Sequence, residues 1–351
     1  MERLIGVDLG YGFVKATDGR EGYLFPSVVG DGSPYLPLRL ASQETDPTDN
    51  LRVQIGDRVY HVGTLAVRQS RMAYGFLSVM RDEGNDLLVL FLTALSLFAS
   101  EANTTFSVVT GLPPGRMHLA DQFVRSVRGD HRVVRYRTGN PEELYLRVDR
   151  VTVVPQPLGT YWSQVLDARG QLAQQHPAAD ARVGIVDIGF RTTDLVTVEG
   201  GEYVPEQSRT VPTGLSAAYG AVANALLREY GIERENHALD EAIISGEIGV
   251  SGRRVDITGL REKAFEQLAT KVLVEIRSTW QVADYDFLWF TGGGGLALQR
   301  YLVPQFSQAS LIADPLTANS REYLAWAHYI YGTGGAPWLE RTPVNPQPRQ
   351  G

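Results

Sequence analysis

Two stretches, IGVDLGYGFVKA at residues 5–16 and GIVDIGFRTTDLV at residues 184–196, are versions of one phrase. Each reads as an apolar strand, an Asp–apolar–Gly–aromatic turn and a second apolar strand. Aligning Asp8 with Asp187 pairs Leu9 with Ile188, Gly10 with Gly189 and Tyr11 with Phe190. The copies lie about half of the 351-residue chain apart. A repeat at that distance predicts two similar halves, with the two turns on opposite walls of one cleft.

The turns have a chemistry. A tight glycine hairpin lets backbone N–H groups approach a phosphate with no side chain in the way. Gly10 and Gly12 supply this in the first turn. Gly189, with the hydroxyls of Thr192 and Thr193 nearby, supplies it in the second. An aspartate at each strand end can hold a hydrated Mg²⁺, which keeps several waters and takes few protein ligands. Asp8 and Asp187 form that pair, and Asp194 is a weaker candidate. Lysine is rare here, confined to Lys15, Lys263 and Lys271. Lys15 is spaced to reach back over the first turn as a point charge for a β- or γ-phosphate.

Two further segments fit the same cleft. In FLWFTGGGGLALQRYL (287–302) a buried strand runs into Gly292–Gly295 and then a helix. That junction presents bare amides and a helix N-terminus to an anionic or nucleotide ligand. It matches neither the dinucleotide fingerprint nor the lysine-bearing phosphate loop. In VTVVPQPLGTYW (151–162) a strand ends at Pro155-Gln156-Pro157, and proline opens a helix. Gln156 would project from that helix entrance, where a glutamine can orient an attacking water.

Elsewhere strands alternate with helices, which predicts an α/β fold with helix-covered sheets. Strands are expected at 22–29, 51–62, 105–110, 131–137, 143–154, 202–211 and 286–291. Helices are expected at 86–99, 116–127, 157–168, 259–281, 294–302 and 317–331, with another from a Thr213 cap to Tyr230. Residues 236–258 read as a short helix followed by a Gly/Ser/Arg turn region. Residues 31–50 read as a loop, 171–180 as a polar connector and 332–351 as a disordered Pro/Gly tail. The apolar run Leu87–Ala99 is too short for a bilayer span, which takes roughly 20 residues, and reads as a buried helix.

The formal charge is −7, which argues against direct binding of nucleic acid or an anionic membrane. Cysteine is absent, which excludes disulfides, thiolate metal sites and a cysteine nucleophile. The start, MERLIGVDLG, lacks the basic region and long apolar core of a signal peptide, so a cytoplasmic protein is expected.

Taken together, these segments resemble the motifs of the actin-like ATPases, the superfamily that also holds the sugar kinases and the seventy-kilodalton chaperones. IGVDLGYGFVKA and VGIVDIGFRTTDLVTV look like its two phosphate motifs, VTVVPQPLGTYW like its first connecting motif and FLWFTGGGGLAL like its adenosine motif. A second connecting motif would lie near 317–331. DLGYGFVK, VVTGLPPG (108–115) and PQPLGTYW are most similar to the prokaryotic plasmid-segregation (ParM) and archaeal actin-like type.

The resemblance implies an actin-like α/β fold, two related ribonuclease H-like domains around a nucleotide cleft. Domain I would comprise 1–156 plus 317–335, with a small insertion near 30–62. Domain II would comprise 157–316 with a small insertion at 236–258, and 336–351 would be a flexible tail. ATP and Mg²⁺ would sit between the domains, the metal held through water by Asp8 and Asp187. The turns (Gly10, Tyr11, Gly12 and Phe13; Gly189, Thr192 and Thr193) and Lys15 would hold the β- and γ-phosphates. Gln156 would orient the hydrolytic water, and Gly292, Gly293 and Gly294 would contact the α-phosphate and adenosine. The helix from Thr213 would line the purine side, with Asn224 and Arg228 as contacts.

The implied activity is ATP hydrolysis coupled to head-to-tail filament assembly, for plasmid DNA segregation or cargo positioning. A small-molecule kinase or a partner-dependent ATP-binding scaffold is the alternative. The implied partners are further copies of the chain and a DNA-binding adaptor protein, with no direct nucleic acid and no membrane. One departure stands out: Arg191 occupies a place where many relatives carry glycine. It would either point outward to a neighbour or add charge to the phosphate site.

Overall fold

The structure, a computed structural model, describes residues 2–33, 46–69, 73–74, 83–99, 103–136, 141–167, 171, 176–234, 239–250, 252–312 and 318–332. The expected tail at 336–351, most of the expected loop at 31–50 and part of the connector at 171–180 lie outside the described residues.

The first half opens with β1 (Glu2–Leu9), β2 (Phe13–Thr17) and β3 (Gly22–Pro26), an antiparallel meander. After it come β4 (Val29–Asp31), β5 (Arg52–Ile55), β6 (Arg58–Val62), α1 (Thr64–Gln69) and β7 (Ala73–Tyr74). Helix α2 (Glu83–Phe98) crosses over to β8 (Asn103–Leu112), which lies parallel to β1. Helix α3 (Ala120–Val127) and β9 (Gly129–Tyr136) lead to β10 (Pro141–Pro155), parallel to β8. The resulting ten-stranded sheet has the order β3-β2-β1-β8-β10-β9-β5-β6-β4-β7.

Helix α4 (Leu158–Val165) leads into the second half, where β11 (Arg182–Ile188), β12 (Thr193–Glu199) and β13 (Glu202–Val211) form another antiparallel meander. Helices α5 (Leu215–Tyr230) and α6 (Asp240–Ser245), the hairpin β14 (Glu247–Val250)–β15 (Arg253–Asp256) and α7 (Thr258–Thr279) follow. Strand β16 (Phe287–Thr291) is parallel to β11, and after α8 (Gly292–Leu302) strand β17 (Ala309–Leu311) is parallel to β16. Helix α9 (Ala318–Tyr331) ends the described chain.

The five-stranded sheet reads β13-β12-β11-β16-β17, and five strands of the larger sheet read β3-β2-β1-β8-β10. Both are a meander extended by two parallel strands. The phrase repeated in the sequence is therefore the first hairpin of a repeated ribonuclease H-like sheet.

Burial follows the pattern of the side chains. Every residue of α2 and its exit from Val89 to Ala99 is buried, against β1, β2 and the inner face of β10. Helices α5 to α8 cover one face of the second sheet. Helices α4 and α9 lie between the halves, with Trp162 stacked on Trp326 at 4.3 Å between ring centres. Helix α9 packs directly on β1, because a Cβ on Gly6 would stand 2.6 Å from the Leu324 nitrogen. Among the described residues no helix is long and apolar enough to cross a membrane.

Several local expectations are corrected. Residues 247–250 and 253–256 pair as a hairpin rather than an irregular turn region; Gly252 at φ +79° lies in its turn, and the Glu247–Arg254 ion pair crosses it. Residues 114–119 form a 3₁₀ helix capped by Pro113 and opened by Pro114, so the α-helix begins only at Ala120. Gly214, not Thr213, occupies the cap of α5. The free N–H groups at its start are satisfied by the second turn: Leu215 donates to the Gly189 carbonyl at 3.1 Å and Ser216 to the Phe190 carbonyl at 2.7 Å. Helix α1 and strand β17 were not anticipated; both are short, and short elements carry little periodicity.

Candidate functional site

Asp8 and Asp187 each stand one residue before the end of their strand, β1 and β11. Lys15 pairs in register with Asp8 across the β1–β2 ladder, so the two side chains share a face. Its Nζ lies 3.1 Å from Asp8 Oδ2. From the turn that joins β10 to α4, Gln156 Nε2 donates to Asp8 Oδ1 at 3.2 Å. From α9, Asn319 Nδ2 donates to Asp187 Oδ2 at 3.3 Å. Asp187 also pairs in register with Asp194 on β12.

This floor is rich in negative charge. Burial, together with the Asp8 carboxylate, pushes Asp187 up to about 6, while Lys15 and the Asn319 hydrogen bond pull it back. Burial pushes Asp194 up to about 7 against the hydrogen bond it accepts from Thr210 Oγ1 at 2.6 Å. Carboxylates gathered beside a single lysine suit a divalent cation, which would offset their mutual repulsion. Among the described residues there is no cluster of three or more acidic or histidine side chains arranged to wrap a metal. Carboxylates at the ends of β1 and β11 suit a hydrated ion, which takes few protein ligands.

The glycine junction is shaped by the same carboxylate. Gly292 begins α8 at φ +78°, and a Cβ there would collide with the Asp187 carboxylate and stand 2.6 Å from the Ile188 carbonyl oxygen. Only glycine lets the helix start fold so closely over the end of β11.

These parts line one cleft of about 630 Å³. Its first wall carries Asp8, Gly10, Tyr11, Gly12, Phe13 and Lys15. Gln156 contributes from the turn between β10 and α4, Asn319 from α9, and Asp187, Gly189, Thr192, Gly292 and Gly293 from the second half.

Four sequence candidates stand elsewhere. Thr193 is buried and its hydroxyl donates to the Thr213 carbonyl at 2.8 Å, so it is committed to the fold. Gly294 is buried behind the junction, where a Cβ would press on the Ile188 side chain. Asn224 and Arg228 are exposed, because α5 turns Ala218, Val222, Ala225 and Leu226 into the core. The same helix reaches the cleft nearer its N-terminus, through Leu215 and Tyr219.

The far end of the cleft was missed in the sequence. Tyr219 donates to Asp240 Oδ1 at 2.7 Å, and Phe190 meets its ring edge to face at 5.3 Å. Ile243, Phe265 and Leu296 add apolar surface there, with Arg261, Glu262 and Arg300 alongside. No local phrase announces them, since they come from four helices, α5 to α8, and the second turn. Asn319 carried only a vague signal, its place within the expected second connecting motif.

The comparisons agree with this architecture. The family described as "Actin like proteins N terminal domain" matches residues 6–159, and "Archaeal actin homologue MreB-like, C-terminal" matches residues 185–303. A search of the curated proteins finds no match. Among solved structures, a 15-stranded ParM filament from Clostridium botulinum is similar with a TM-score of 0.75 at 24% identity, covering 93% of this chain and 99% of that one. An archaeal actin homologue in complex with ADP gives 0.74 at 20% identity, covering 93% and 99%. A Bacillus thuringiensis ParM with AMPPNP gives 0.70 at 16%, covering 92% and 97%. With both family matches in chain order over a twice-built sheet, the chain belongs to the actin-like proteins and has the fold of the ParM structures.

Proposed function

We propose that the chain is an actin-like ATPase that binds Mg-ATP between its halves, hydrolyses it and polymerises into filaments that segregate DNA or position another cargo. The observation that carries this reading is the pair Asp8 and Asp187, at the ends of β1 and β11 in one cleft walled by two glycine turns. The similar ParM with AMPPNP and the archaeal homologue with ADP support a nucleotide as the ligand, and the similar ParM filament supports self-assembly.

In this reading the turn amides and Lys15 bind the β- and γ-phosphates, Asp8 and Asp187 orient the metal's waters, and Gln156 holds the attacking water. A bound magnesium ion would supply neutralisation of phosphate charge. Gln156 is suited to its part because its amide is already fixed by Asp8 and its backbone carbonyl by Tyr323, whose hydroxyl donates to it at 2.9 Å. Positioning of this kind is most of what phosphoryl transfer asks of a protein. Acidic net charge makes a basic adaptor protein the route to DNA.

The test is pelleting with Mg-ATP, Mg-ADP and no nucleotide, with phosphate release measured in parallel and electron microscopy of the pellet. Nucleotide-dependent filaments with phosphate release are the expected result. Protein that stays soluble across concentration and salt overturns self-assembly, and absent phosphate release overturns the ATPase.

A further inference from the structure

The second turn differs from the first at one telling place. Where the first has Gly10-Tyr11-Gly12, the second has Gly189-Phe190-Arg191, so an arginine stands at the counterpart of Gly12. Arg191 is not among the residues lining the cleft. Its guanidinium lies over the ring of Tyr11, in the opposite half, at 5.7 Å from the ring centre. A second guanidinium, Arg116, lies over the same ring at 5.1 Å.

Arg116 is itself tied to the second half. The preceding residue, Gly115, donates its backbone N–H to Thr210 Oγ1 at 2.9 Å, and that hydroxyl donates on to Asp194 Oδ1 at 2.6 Å. Asp194 lies three residues beyond Arg191, on the strand that follows the turn. The contacts therefore close a ring: Arg191, Tyr11, Arg116, Gly115, Thr210, Asp194 and back along the chain. It joins both phosphate-type turns and the GLPPG turn, and it crosses between the halves twice.

We propose that Arg191 is a positioning residue that acts through Tyr11. Its guanidinium clasps the first turn to the second and fixes the gap across which both turns and both carboxylates must grip one ligand. The guanidinium meets the ring of a residue that itself lines the cleft, on the wall opposite its own turn. The attraction of a guanidinium for a ring face within about 6 Å is enough to shift a closing equilibrium severalfold. The role for a nucleotide rests on the ATPase reading above; the clasp itself does not.

The experiment is a double-mutant cycle read in two ways. Affinity for a fluorescent ATP analogue with Mg²⁺ is measured for wild type, Arg191→Ala, Tyr11→Leu and the double variant, with Arg191→Lys as the rescue. Hydrogen exchange at residues 9–13 is measured in the nucleotide-free protein. Each single variant is expected to weaken binding about fivefold, with the double variant no weaker than the worse single. Arg191→Lys is expected to stay within about twofold of wild type, since a cation remains over the ring. Arg191→Ala is expected to speed exchange at residues 9–13, in the half that does not contain it. Additive losses, or exchange at 9–13 that Arg191→Ala leaves unchanged, overturn the clasp. Wild-type protein that binds no nucleotide overturns the ATPase reading and any positioning of a nucleotide, while the exchange result still decides whether Arg191 holds the first turn.

Discussion

Gln156 Nε2 donates to Asp8 Oδ1 at 3.2 Å, joining two buried residues 148 positions apart in the chain. Gln156 directly follows β10, the last strand of the first half's parallel trio, and Asp8 nearly ends β1. The bond depends on β10, β8 and β1 lying side by side in parallel, so that their C-terminal ends meet at one edge. It makes the glutamine a fixed part of the carboxylate floor rather than a residue on a free loop.

Gln156→Ala is therefore expected to slow phosphate release about a hundredfold, the scale of a lost positioning contact, with nucleotide affinity changed only a few-fold. Single-turnover hydrolysis and equilibrium binding check the two halves of the statement. Filaments of the variant should outlast those of the wild type.

Tyr323→Phe removes the hydroxyl that donates to the Gln156 carbonyl at 2.9 Å. Gly159 N–H still reaches that carbonyl at 3.2 Å, so the acceptor is not stranded. The expected cost is about 1 kcal/mol in urea unfolding, with slower hydrolysis because the glutamine loses one anchor.

Gly292→Ala would force an L side chain to φ +78° and drive its Cβ into the Asp187 carboxylate. The backbone conformation alone costs roughly 1–3 kcal/mol. Both a lower melting temperature and loss of Mg-nucleotide affinity are expected; a variant with a lower melting temperature and unchanged affinity would show that Asp187 need not stand where it does.

Asp187→Ala is expected to abolish Mg-dependent nucleotide turnover, and Lys15→Ala to weaken affinity for ATP more than for AMP, since in the proposed reading its point charge binds the β- and γ-phosphates. Turnover by Asp187→Ala at the wild-type rate would sink the metal assignment.

Glu322, on α9, gives a pH dependence. Burial pushes its carboxyl up to about 7, against the opposing charge of Arg321. The folded state thus holds this proton more tightly than the unfolded chain does. Its contribution is most favourable below the ordinary carboxyl range near 4.5 and is lost as pH rises through about 7. Glu322→Gln should make the protein more stable at pH 8, by an amount on the order of 2 kcal/mol, and flatten the profile between pH 5 and 8. Denaturant midpoints across that range provide the check.

Local sequence determined the elements whose chemistry is contained in a single phrase. The two Asp–apolar–Gly turns, the Gln156 helix entrance and the glycine junction at Gly292 are each a strand, a turn and a next element within about a dozen residues. Glycine and proline restrict the backbone strongly enough there to be legible without neighbours. The repeat even announced the twofold plan of the sheets. Only the tertiary structure decided which face of α5 looks into the cleft. Asn224 and Arg228 have suitable chemistry, yet packing of Ala218, Val222 and Leu226 turns them to solvent and gives the wall to Leu215 and Tyr219. It likewise brought Asn319 to Asp187 and laid Arg191 on Tyr11. Those pairings join residues more than a hundred positions apart. Their geometry is set by how two sheets and the helices between them pack, which no stretch of sequence contains by itself.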